Sequence, residues 1–272
     1  MFDFPLKTRQ GVPSMAWLLA VLSPLAAQAD GLGPAQALAP LLGPQGAIHP
    51  AWRVVGFPQS RQPIPLTRFE PGSADPVSPV ASSARQPTAV QVRTDASYGT
   101  LVHAWQGPAP AWLNWRWRLD QPLAGGPTRP DLTTKAGDDA ALKLCVMFNH
   151  PLDRVPLVER TLLRLARSLS GENLPAATVC YVWDSAQPAG LRGANPYTRR
   201  VRYISLRGSD SPLGQWVDER RSPEQDFLSL FGDEASGPVA PPVLSVALGA
   251  DSDNTASTSI GWVQSIQWSQ QK

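Results

Sequence analysis

Short runs rich in β-branched, aromatic and other apolar residues recur at 89–93, 100–105, 113–119, 141–148, 178–183, 201–206, 215–219, 243–250 and 259–268, separated by segments rich in Gly, Pro, Asn and Asp. Each run has the length and residue types of a strand. Half of the intervals are too short to hold a crossover helix, which argues against regularly alternating βαβ units. The spacing predicts an all-β fold, an antiparallel β-sandwich of jelly-roll-like form. The 29 prolines and 21 glycines suit many turns. Residues 51–70 hold β-prone pieces broken by Pro58, Pro63 and Pro65, and proline within a sheet belongs at an edge.

Two longer periodic segments break this rhythm and predict packed helices. Over 156–169, Val158, Leu162, Leu165 and Leu169 share one stripe, expected to lie on the sheet, with Gly171 as a C-terminal cap. Arg160, Arg164 and Arg167 form a second stripe, read as a solvated face. The segment 223–231 starts with Ser222 as N-cap, Pro223 in the first turn and Glu224 and Asp226 near the positive end, and it runs up to Gly232.

The N-terminus follows a different logic. Lys7 and Arg9 precede an apolar run at 15–26, and Ala27-Gln28-Ala29 provides a small-x-small cleavage pattern. The run is well short of the roughly 20 residues needed to span a bilayer. Residues 1–29 are therefore expected to be a signal peptide cleaved after Ala29. The product would be periplasmic or secreted, without stable membrane insertion. Residues 30–50 read as a loosely ordered lead-in, and 51–272 as a single sandwich domain.

Charge and motif searches remove several function classes. A formal charge of +2 lacks the electrostatic footprint of a nucleic-acid binder. Phosphate loops, His-Glu-x-x-His, Cys-x-x-Cys and Gly-x-Ser-x-Gly are missing from the sequence, and His49, His103 and His150 stand apart from one another and from the cysteines. No cofactor is expected, calcium excepted. Cys145 and Cys180 each fall inside a predicted strand. A disulfide between them is open if those strands are neighbours and the compartment is oxidising.

Three constellations carry what chemistry remains. In Trp112-Leu113-Asn114-Trp115-Arg116-Trp117, alternation puts Trp115 and Trp117 on one face, as a stacking platform for sugar rings or as sandwich core. Lys135, Asp138 and Asp139 precede the run at 141–148 and read as polar ligands or as a turn held by Asp-to-backbone bonds. Asp251, Asp253 and Thr255 place oxygens at alternate positions, as a calcium site or an ordinary turn.

These motifs occur in a recognisable order: LNWRWRLD, TKAGDDAALKLCVMF, TVCYVWD, GQWVDERR with a following DFLSLFG, then ADSDNT with GWVQSIQW. The series resembles the bacterial family called domain of unknown function 3047, over roughly residues 51–268. The resemblance implies an exported β-sandwich and carries no catalytic residues. Two functional readings follow. One is a module binding a glycan or other envelope ligand through Trp115, Trp117, Trp183 and Trp216, with Lys135, Asp138, Asp139 and Asp184 as polar contacts. The other is a polysaccharide lyase or hydrolase using two of Asp138, Asp139, Asp184 and Asp251. A structural role in the envelope is a third, and whether the chain is an enzyme stays open.

Overall fold

The computed structural model describes residues 37–56, 63–74, 87–170 and 173–270. The expected signal peptide and Gly171 fall outside them. Among the described residues, twelve strands form: β1 (Trp52–Val55), β2 (Arg68–Gly72), β3 (Ala89–Asp95), β4 (Tyr98–Gly107), β5 (Trp112–Ala124), β6 (Leu142–Phe148), β7 (Ala177–Trp183), β8 (Arg192–Ala194), β9 (Val201–Arg207), β10 (Val217–Arg221), β11 (Val243–Asp251) and β12 (Thr258–Ser269). Helix α1 (Leu157–Ser170) lies between β6 and β7, and α2 (Pro223–Phe231) follows β10.

The strands pair into a seven-stranded sheet, β1-β4-β11-β6-β7-β9-β8, and a five-stranded sheet, β10-β5-β12-β3-β2. The predicted sandwich is the architecture found. The Pro-broken pieces supply β1 and β2, each at a sheet edge. Pairing between the named strands is antiparallel with one exception, β7 beside β9. The chain leaves β7, forms the short β8 and turns back as β9 between them, so β9 runs in the direction of β7.

Alternation along β6 shows how the core is built. Leu142, Leu144, Val146 and Phe148 join the central apolar cluster, whereas Lys143, Cys145 and Met147 turn to the outer face of the seven-stranded sheet. From the opposite sheet, Trp115 meets Tyr181 at 5.2 Å between ring centroids, and Trp117 meets Trp183 at 5.6 Å. Such aromatic pairs contribute beyond their buried area. The sheets pack tightly at Gly261, where a Cβ would lie 2.5 Å from the Leu142 side chain.

Residues 37–50 pack onto the body of the sandwich. Leu38 and Leu41 are buried in the core, and the Trp52 indole donates to the Ala39 carbonyl at 2.9 Å. Helix α2 has its expected bounds, and the Ser222 hydroxyl accepts from the Gln225 amide at 3.5 Å.

Helix α1 forms where predicted but is rotated about its axis relative to expectation. Leu163 and Ala166 are buried against Val155, Leu174 and Ala176, whereas Val158, Leu162 and Leu165 are exposed at 71%, 43% and 44%. Leu163 and Ala166, flanking the longer apolar stripe, are the residues that meet the body. One reason is the anchor beside them: Glu159 takes a 2.9 Å bond from Arg200, a buried guanidinium held by Glu234 at 2.6 and 2.7 Å. That ion network fixes which face of α1 turns inward.

Candidate functional site

The outer face of the seven-stranded sheet carries a cleft of about 110 Å³, with Leu163 of α1, Leu174 and Pro175 on its wall. Residues pointing out from β6, β7, β9 and β11 line its floor: Cys145, Met147, Thr178, Cys180, Val201 and Ala247. Cys145 and Cys180 lie opposite each other in the β6–β7 ladder and form a disulfide, with Cα atoms 4.0 Å apart. The Thr178 hydroxyl is buried without a hydrogen-bond partner. A buried hydroxyl left unmatched in a cleft is a ready contact for a ligand.

The other end of the cleft is ionic. Asp138, Lys143, Asn195 and Asp251 line it with Tyr98, and Lys143 Nζ lies 5.1 Å from the Tyr98 ring centroid. Asp251 accepts from Lys143 Nζ at 2.5 Å and from the Ala140 amide at 2.8 Å. Burial would lower the Lys143 pKa, but the Asp251 carboxylate outweighs it and the ammonium is held well above its usual range. Asp138 accepts from the Asn195 amide nitrogen. Burial first, then the charge of Asp251, pushes its carboxyl up to about 7.

Directly beside it, Asp139, Asp251 and Asp253 bring carboxylate oxygens within 4.8 Å of one another. Asp139 accepts from the Thr255 amide at 2.7 Å and hydroxyl at 2.6 Å. Burial raises the Asp139 pKa, and burial with the charges of Asp251 and Asp139 pushes Asp253 up to about 8. One Asp253 oxygen is buried without a partner. A divalent ion held by all three carboxylates could satisfy that oxygen, and so could a proton shared within the group.

The structure thus brings two sequence constellations together. Asp138 and Asp139 precede β6, while Asp251 and Asp253 follow from β11, and the loops interlock through Asn254 donating to the Asp138 carbonyl at 2.9 Å. Thr255, expected as an oxygen ligand, instead donates to Asp139, and Asp139 is the third acid of the cluster. Lys135 is exposed above the Tyr197 ring at 5.3 Å, at the rim of this region. Asp184 is buried and caps a turn through the Ala186 and Gln187 amides at 2.8 and 3.1 Å, away from the cleft lining.

The tryptophan reading is corrected by packing. Trp115, Trp117 and Trp183 are core residues at 2%, 0% and 0% exposure, so they offer no face to a sugar. Trp216 is half-buried, and the Arg116 guanidinium sits 5.6 Å from its ring centroid. Trp112, on the same outer face as Arg116, is covered by Arg220 at 4.3 Å. These indoles are already stacked within the chain.

The family model described as "Protein of unknown function (DUF3047)" matches residues 51–267. The chain belongs to the DUF3047 family. No curated protein matches it. The match runs from β1 almost to the end of β12, so the DUF3047 unit includes both sheets, the cleft and the interlocked acidic loops. Sequence reasoning missed Tyr98, Met147, Thr178 and Asn195, since isolated residues of these types give no chemical signal until strand pairing sets them around one space.

Proposed function

We propose that this DUF3047 domain is a ligand-binding sandwich whose site is the cleft on the seven-stranded sheet. The observation carrying this reading is the division of the cleft: an apolar wall of Met147, Leu163, Leu174, Pro175 and the disulfide at one end, and Asp138, Lys143 and Asp251 at the other. A few placed polar groups in a mostly apolar concavity suit an amphipathic ligand. Its apolar part would lie over Met147 and Leu174, and its hydroxyl or amine groups would meet Asp138 and Asp251. The glycan reading is retained in this form, as a sugar head attached to an apolar group, held by hydrogen bonds rather than indole stacking.

An export reading fits the same picture. The basic and apolar start of the chain and the Cys145–Cys180 disulfide both fit an oxidising compartment such as the periplasm. Calcium at Asp139, Asp251 and Asp253 is proposed as a cofactor of the acidic end, in competition with the proton that Asp253 holds to about pH 8.

A second reading rests on Asp138. A carboxyl that titrates at about 7 inside a cleft is suited to give or take a proton at neutral pH. A hydrolase or lyase would use it as the acid or base, and Asp138→Asn would then abolish turnover while sparing binding.

Thermal unfolding with octyl glucoside below its micelle concentration, with glucose, with calcium and with chelator separates these ideas. The amphipathic reading expects a rise with octyl glucoside that exceeds the rise with glucose and is lost in Thr178→Val. No shift with either sugar would sink it, and indifference to calcium and chelator would sink the metal.

A further inference from the structure

Among the described residues, none covers the outer face of α1. Among the eight large hydrophobic residues of the described chain that stand exposed, four belong to this helix: Leu157, Val158, Leu162 and Leu165. Val158, Leu162 and Leu165 follow the spacing that places side chains along one stripe of a helix. A contiguous apolar stripe left in water marks a contact surface.

Charge indicates what covers it. Exposed Arg154 precedes the helix, and exposed Arg164 stands within it. Glu159, the acidic residue of its first turn, is already committed to Arg200 at 2.9 Å. Exposed Asp153 adjoins Arg154, so the free face is apolar with a modest basic excess. Helices of this composition lie in the headgroup layer of a bilayer, apolar side chains down and arginines reaching phosphates. At 14 residues α1 is far too short to cross one.

We propose that α1 docks this domain on an anionic phospholipid surface through Val158, Leu162 and Leu165, with Arg154 and Arg164 engaging headgroup phosphates. The inference stands on the helix and is independent of the cleft reading. The two meet at Leu163, which belongs to α1 and lines the cleft, so a docked helix would set the cleft at the lipid surface.

Vesicle flotation tests it, using the protein purified after export with its N-terminus verified by mass spectrometry. The protein should float with vesicles of phosphatidylcholine plus phosphatidylglycerol, float weakly with phosphatidylcholine alone, and release as salt rises. Arg154→Gln with Arg164→Gln should weaken binding about thirtyfold. Leu162→Gln with Leu165→Gln should abolish it, and because these side chains are exposed the thermal midpoint should hold. Flotation of the Leu variant at the parent level overturns the proposal, as does failure of the parent to bind the anionic vesicles. A parent that ignores vesicles but self-associates in ultracentrifugation, and becomes monomeric in the Leu variant, would reassign the stripe to a contact between copies.

Discussion

Lys143 Nζ donates to Asp251 Oδ2 at 2.5 Å across a sequence separation of 108, tying β6 to the end of β11 on the floor of the cleft. Both side chains are mostly buried, at 15% and 10% exposure. Removing one member of such a pair leaves the other charge without compensation. Lys143→Met should therefore cost about 3 kcal/mol. Lys143→Met with Asp251→Asn should cost clearly less than the sum of the two single changes, read by urea unfolding as a double-mutant cycle. Additive losses would mean that the pair is not coupled.

The raised carboxyls give stability a definite pH dependence. Asp138 moves from 3.8 to about 7 and Asp253 from 3.8 to about 8, so between these limits the folded chain holds protons that the unfolded chain has released. This contribution is fully present below the unfolded value and is lost as pH rises through 7 and 8. Glu234 acts oppositely but lower: burial raises its pKa, yet the Arg200 hydrogen bonds and the charges of Arg200 and Arg202 outweigh it and bring the carboxyl down to about 2. Its contribution is lost as pH falls from the unfolded value of 4.5 toward that value. Urea midpoints between about pH 5 and about pH 8.5 should fall with rising pH, and Asp138→Asn should flatten the fall.

The disulfide closes a segment of 35 residues that includes α1. Chain-entropy reasoning assigns such a loop roughly 3–4 kcal/mol. Cys145→Ala with Cys180→Ala should lower stability by about that amount, and added dithiothreitol should destabilise the parent but not the variant. Equal response of both proteins to reductant would contradict a formed bridge.

Core and surface tryptophans should separate cleanly. Trp117→Ala leaves a large cavity and removes the 3.0 Å bond from its indole to Glu219, and should cost about 3–5 kcal/mol. Trp216, half-buried at the sheet edge, should cost under about 1 kcal/mol. A Trp117→Ala protein of parental stability would return that indole to the surface.

These contrasts show what the sequence could and could not convey. Strand runs and the α2 cap were legible because periodicity and capping are local. Alternation assigned Trp115 and Trp117 to one face, but which face is inward depends on the Tyr181 and Trp183 rings of the opposite sheet. The convergence of Asp138 and Asp139 with Asp251 and Asp253 was invisible for the same reason, since strand order brings them together. In α1 the stripe of Val158, Leu162 and Leu165 promised burial. The Glu159–Arg200 anchor, a contact with the turn that leads into β9, accompanies Leu163 and Ala166 turning inward instead.

The cleft is tested most directly by mapping amide chemical shifts of the labelled domain as octyl glucoside is added below its micelle concentration. Saturable changes should gather at Lys143, Cys145, Met147, Thr178, Cys180 and Ala247, the outward residues of the seven-stranded sheet, and should vanish in Thr178→Val. Changes confined to Trp112, Arg116 and Trp216 on the other sheet, or none that saturate, would contradict the assignment of the site.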